Sequence, residues 1–261
     1  MIEPTPLLDF FKRGEVARDV RLLAAEGRIA PRAHEQLAIL VLLLKDSDPE
    51  VRRTADQTLN RIPMEALKGS LAQSDVPIGL REFFAERGIS PGQVPSPGAV
   101  DADGPLLDAG GDVKGLDTEE NQGDKTVVQR LAEMGFTDRL KAAMKGTREV
   151  RAILIRDPNK MIAAAVLSSP KVTESEVESF ARMANVSEEV LRTIGQRRSW
   201  MKNYGIVAAL TKNPKTPLAV SLNLMPRLND RDVNLLSVDR NVPEPLRIAA
   251  RKRVSAGTSK R

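Results

Sequence analysis

The sequence predicts an all-α protein, a right-handed α-solenoid of short stacked helices, and three observations carry that reading. Asp157-Pro158, Asn185-Val186, Asn213-Pro214 and Asn241-Val242 stand 28 residues apart each time. Apolar residues keep the same ruler. Ile162, Val190, Leu218 and Leu246 come five places after each Asp or Asn, and Val166, Ile194, Leu222 and Ala250 come nine after. Ala152, Phe180, Ala208 and Leu236 come five before. The chain is also 41% apolar but only 3% aromatic, so its core rests on Leu, Ile, Val, Ala and Met, which suit close helix packing. Apolar residues at i and i+4 inside a fixed period mark a helical unit stacked on copies of itself.

In chain order, Thr5-Pro6-Leu7-Leu8 reads as an N-cap, a proline at the first helical position and an apolar start. That helix runs to Arg13 and stops at Gly14. Glu15 to Glu26 is a second helix, with Val16, Val20 and Leu23 on one face and Gly27 as its C-cap. A third opens at Pro31 or Ala33 and runs to Lys45, and its unbroken Leu-rich stretch predicts burial on most sides. His34 sits near its start and is expected at the surface or in a cap. Asp46-Ser47-Asp48-Pro49 then caps and starts the next helix.

From these residues a resemblance emerges. "DSDPEVRRTADQTL" resembles the inter-helix turn and second helix of HEAT-like repeats. "RDPNKMIAAAVLSS" and "TKNPKTPLAVSLNL" are similar to leucine-rich-variant repeats, a related helical solenoid family. Asp75-Val76-Pro77-Ile78-Gly79-Leu80-Arg81 further matches Asn241-Val242-Pro243-Glu244-Pro245-Leu246-Arg247, and Asp48-Pro49 lies 27 residues before Asp75. The predicted organisation is therefore a helical cap with about two HEAT-like repeats over 1–87 and a basic repeat block over 126–255. A basic tail follows over 256–261. "VVQRLAEMGFTDRLKAAMKG" has two readings: a short repeat with Leu140 and Met144 at its fifth and ninth places, or a resemblance to a ubiquitin-associated domain around Met134-Gly135-Phe136.

Residues 88–125 differ in kind. They are rich in Pro, Gly and Asp, lack aromatic residues and show no periodicity. Such a stretch buries too little apolar surface to offset a chain entropy of roughly 1–2 kcal/mol per residue, which predicts a disordered linker. Asp101-Ala102-Asp103-Gly104 faintly suggests a calcium loop, but the sixth-position Gly and twelfth-position Glu of that pattern are missing. The formal net charge of +5 is distributed unevenly, with −1 over 1–87, −6 over 88–125 and +12 over 126–261.

Several chemistries are excluded or unsupported. Without cysteine there are no disulfides, thiolate metal sites or Cys nucleophiles, and a single histidine leaves no His-cluster metal site. Glu174, Glu176 and Glu178 follow Thr173 and read as a cap with acids in the first helical turn. Gly146-Thr147 and Gly257-Thr258 lack the remainder of a P-loop. No catalytic, cofactor-binding or metal-binding residue is singled out, no small-molecule substrate is evident, and a non-enzymatic protein is expected. The longest apolar run, Leu37 to Leu44, is far short of the roughly 20 residues of a membrane span, and no basic segment leads into an apolar run at the N-terminus. A soluble, cytoplasmic protein is expected.

Two features point to partner binding. Arg156, Lys212 and Arg240 each precede a capping position, so stacked units would align them as a ladder; equally, cations at helix C-termini are worth roughly 0.3–1 kcal/mol through the helix dipole. Arg197, Arg198, Trp200, Lys202 and Tyr204 gather the only Trp and Tyr among three cations. Exposed, they form a binding anchor; turned inward, Trp200 is the large core residue of its layer. The expected function is a protein-binding scaffold whose basic block meets an acidic protein surface. Nucleic-acid binding is the alternative, because the HEAT-like DNA glycosylases that the chain partly resembles use a basic groove of stacked helices. They also need a carboxylate beside aromatic residues, and aromatics are scarce here. Autoinhibition by the acidic linker folding over the basic block is a third expectation. Limited proteolysis should cut between Gly88 and Lys125 and leave two resistant helical fragments; resistance throughout that segment would refute the division.

Overall fold

The structure, a computed structural model, describes residues 5–29, 32–74, 76–92, 106–107 and 126–258. The described residues are all-α. The contacts divide the chain into two compact units: Met1–Arg151 with Ala164–Lys171, and Ala152–Ala163 with Val172–Arg261.

The first unit opens with α1 (Pro6–Arg13), α2 (Arg18–Ala25) and α3 (Ala33–Leu43). Gly14 ends α1 in the left-handed region at φ 70°, donating to Phe10 and Phe11 carbonyls, which only a residue without Cβ does at little cost. Helices α4 (Pro49–Arg61), α5 (Met64–Ala72) and α6 (Ile78–Ala85) follow. Asp48 caps α4 by accepting from the Glu50 N–H at 2.8 Å, and Arg18 of α2 pairs with both Asp48 and Glu50. Arg21 reaches Asp46 at 2.8 Å, which ties α2 to the turn before α4. Helix α3 is packed by α1, α2, α4 and α5. That crowding buries even its polar first turn, His34, Glu35 and Gln36, so His34 is a buried residue at 7% exposure and not a surface one. Then come α7 (Val127–Glu133) and α8 (Phe136–Lys145), α7 opened by a Thr126–Gln129 capping box. Leu140 and Met144 of α8 are buried.

The boundary between units falls within α9 (Arg148–Leu154) and α10 (Lys160–Ser168). The second unit continues with α11 (Glu174–Arg182), α12 (Glu188–Gln196), α13 (Tyr204–Lys212), α14 (Leu218–Leu224), α15 (Asp230–Val238) and α16 (Glu244–Thr258). Here α11 packs on α13, α13 on α14, α15 on α16 and α14 on α16. Gly195 lets α12 approach α14 closely, since a Cβ there would stand 2.8 Å from Val220 Cγ1. Thr173, Ser187, Asn203 and Asn229 cap α11, α12, α13 and α15 with their own side chains.

Most ruler positions are buried, among them Ile162, Val166, Phe180, Val190, Ile194, Leu236, Leu246 and Ala250. Ala152 and Ala208 are only half-buried, and so are Leu218 and Leu222, for which the cause is local. Pro217 occupies the N-cap of α14, so the helix starts at Leu218, while α10, α12 and α16 each start two residues before their fifth-place residue. The buried face of α14 moves to Ser221 and Leu224. Arg251 to Arg253 lie inside α16; residues 259–261 of the basic tail, the disordered reading of most of 88–125 and the faint calcium loop at 101–104 lie outside the described residues.

Leu246→Ala should destabilise the protein on the order of 2–5 kcal/mol, the range for a fully buried leucine. Leu218→Ala should cost roughly 1 kcal/mol or less, as for half-exposed positions. Urea denaturation of both variants checks the order, and equal losses would refute the shifted frame of α14.

Candidate functional site

The predicted binding residues all lie in the second unit, and their surroundings differ one from the next. Trp200 starts a short 3-10 turn, Trp200–Lys202, between α12 and α13. It is 8% exposed, with the Arg197 guanidinium 4.5 Å from its ring centroid. The ring therefore belongs to the core and Arg197 roofs it. Arg198 and Lys202 are exposed.

Tyr204 is 42% exposed, but its hydroxyl is engaged. It donates to Asp232 Oδ2 and accepts from the Asn229 N–H at 3.2 Å. The other carboxylate oxygen of Asp232 pairs with Lys212 Nζ at 2.5 Å. Asp232 is held in place by the Asn229 cap, whose Oδ1 accepts from the Asp232 N–H at 2.8 Å. The ammonium of Lys212 and the hydroxyl of Tyr204 hold the Asp232 carboxyl below the usual carboxylate range. Burial of the hydroxyl, and then the Asp232 carboxylate, raise the Tyr204 phenol above its ordinary value.

This trio corrects the ladder at its middle rung. Lys212 spends its charge on Asp232, a residue two turns of chain away that sequence reasoning did not single out. The signal was present, as an acid three places after a capping Asn. Arg156 is exposed and its Nε donates to the Ala152 carbonyl at 3.1 Å, so it caps its own helix. Arg240 is exposed. The ladder is thus two exposed cations and one ion pair.

Asn213 is the other residue whose role goes beyond its predicted one. Its Oδ1 accepts from the Lys215 N–H at 2.9 Å, which closes the turn before α14 without capping that helix. Its Nδ2 also donates to the Ala181 and Met183 carbonyls at 2.8 and 2.9 Å, closing the end of α11. Beside it three turns line a shallow depression of about 590 Å³, with Glu188 from one, Pro214 to Ala219 from the next and Pro243 from the third. Among the described residues no group of three His, Asp or Glu side chains is placed to hold a metal ion. No helix of the described residues is long and apolar enough to cross a membrane.

Comparison with protein-family models, with curated proteins and with solved structures finds no match.

The trio makes a signed prediction. A carboxyl whose folded pKa is depressed adds stability above its unfolded value, and that contribution is lost as pH falls through the folded one. A phenol raised in the folded state adds stability below its unfolded value, lost as pH rises past it. Asp232→Asn should therefore flatten the acid limb of the stability profile below about pH 4. It should also lower the Tyr204 pKa, read from tyrosinate absorbance with no interference because the chain has one Tyr. An unchanged phenol titration would sink the assignment.

Proposed function

We propose that the chain is a non-enzymatic, cytoplasmic scaffold that binds an acidic protein surface through HEAT- or leucine-rich-variant-like repeats in its C-terminal part. The observation that carries this reading is a block of net charge +12 over 126–261 in which Arg156, Arg198, Lys202 and Arg240 stand exposed while Trp200 is withdrawn into the core. A solenoid form is supported by helices that start at Lys160, Glu188, Leu218 and Glu244, spaced 28, 30 and 26 residues apart. It is supported too by side chains that reach back about one repeat, as Asn213 does to the end of α11. Stacked short helices offer a long surface, and charge on it suits complementary partners.

Nucleic-acid binding is favoured by the same charge but loses its aromatic platform. Stacking successive bases needs several exposed rings, and in this unit Trp200 and Phe180 are buried, which leaves one exposed ring, Tyr204.

The reading is tested by comparing an acidic polypeptide such as polyglutamate with DNA and RNA probes. Wild type should bind the polypeptide, and reversal of Arg156, Arg198, Lys202 and Arg240 to Glu should abolish that binding with the helical signal retained. A nucleic-acid probe that is bound, and lost by roughly 10³–10⁵-fold between about 50 and 200 mM salt, would replace the scaffold with the alternative.

A further inference from the structure

Leu107 of the acidic stretch is hydrogen-bonded through both its backbone groups to one side chain of the first unit. Gln36 of α3 is 1% exposed. Its Nε2 donates to the Gly27 carbonyl at 2.8 Å and to the Leu107 carbonyl at 2.9 Å. Its Oε1 accepts from the Leu107 N–H at 3.0 Å. A carboxamide offers two donors and an acceptor. With one donor committed to Gly27, the remaining donor and the oxygen match the carbonyl and N–H of one extended residue, the exchange an antiparallel strand makes.

The slot therefore demands a peptide group. A buried donor and acceptor left without partners cost more than one hydrogen bond returns, and what completes Gln36 is backbone, which any sequence supplies. Selectivity comes from the floor. Gly27 sits in the left-handed region at φ +79°, and a Cβ there would stand 3.3 Å from Thr58 Cγ2 and 3.6 Å from Leu107 Cβ. Leu107 therefore lies over Gly27 at ordinary van der Waals range, with Thr58 on the other side of that position, and both leucines are half-buried. A second depression of about 410 Å³, lined by Glu26, Thr54, Gln57, Thr58, Asn60 and Arg61, shares Thr58 with this floor.

We propose that the Gln36 slot is a docking site for an extended, leucine-bearing peptide, which the chain fills in cis with its own Leu106–Leu107. This goes beyond the scaffold reading and does not depend on it, since no cation of the second unit takes part. The acidic segment is then a tethered ligand and not a plain spacer. A tether of this kind presents its ligand at an effective concentration on the order of millimolar, so a competing strand enters only when it binds better or when Leu107 is removed.

The test uses the full chain and a synthetic peptide of the sequence Asp101 to Asp112. In wild type, hydrogen exchange should slow the Leu107 amide at least about tenfold relative to an unprotected chain, and Gln36→Met, which keeps shape but removes the three bonds, should erase that protection. A variant with Leu106→Asp and Leu107→Asp should bind the peptide, while wild type, its slot filled, should bind at least about tenfold more weakly. A Leu107 amide that exchanges freely in wild type would overturn the proposal. So would a peptide bound equally by both proteins or by neither. Should Gln36→Met fail to fold, wild-type exchange and the double-Asp variant still decide.

Discussion

Short helices have too many ends. Helices α7 to α15 are seven to ten residues long, and each leaves its last four carbonyls without an intrahelical partner. Nearly half of the acceptors in such a helix must find a donor elsewhere, and an unpaired buried one costs about 1–3 kcal/mol. The second unit meets this need from the segment that follows. Asn213 closes α11, Arg227 donates to the Met201 carbonyl, and Arg253 donates to the carbonyls of Met225 and Leu228 at 2.6 and 3.0 Å. In the first unit Ser169 does the same for Met144 at 2.7 Å. Each donor lies 25 to 32 residues beyond its acceptor, so the spacing read from the sequence is also the reach over which helix ends are satisfied.

That constraint changes the meaning of the positive charge. Guanidinium groups are the longest donors available, and several arginines are occupied with backbone. Arg151 donates to Gly146 and Lys171 carbonyls, Arg251 to Ser237 and Arg247 to Asp239. Arg251, anchored this way, is still exposed to water, so structural and electrostatic uses coexist there, whereas Arg151 is buried. A lysine paired with a carboxylate is different, because Lys212 and Asp232 cancel each other's field. The electropositive surface is the part of the +12 left after such pairs, and the exposed cations Lys202 and Arg240 belong to it.

What was legible in the sequence was whatever depends on local chemistry. Thr5-Pro6, Gly14, Asp48-Pro49 and Thr173 marked helix boundaries because caps and fixed dihedrals act within a few residues. Leu246 and Val190 were legible as core because their helices keep the common frame. Leu218 was misread because one proline, Pro217, delays its helix by two residues, and a ruler has no means of registering a slip inside one unit. His34 and Trp200 turn on which neighbours cover them, four helices in the first case and Arg197 in the second, and such coverage is a property of packing and not of spacing. Asp232 was missed for a related reason, since its role as the hub between Lys212 and Tyr204 arises only when α13 lies against the start of α15.

The same rule of satisfied backbone explains why the acidic segment is not uniform. Most of its residues are Gly, Pro, Ala and Asp, which offer little to bury, but Leu106 and Leu107 add apolar surface at one point. Apolar contact alone is non-directional and would leave the register of a two-residue anchor undefined. Gln36 supplies the direction, because its carboxamide accepts one N–H and donates to one carbonyl of the same residue, and a slip by one residue would turn the side chain away from the floor at Gly27 and Thr58. The conserved quantity across both units is thus the pairing of peptide groups by side chains. In the second unit Asn and Arg apply it to helix ends, and in the first Gln36 applies it to the peptide groups of Leu107.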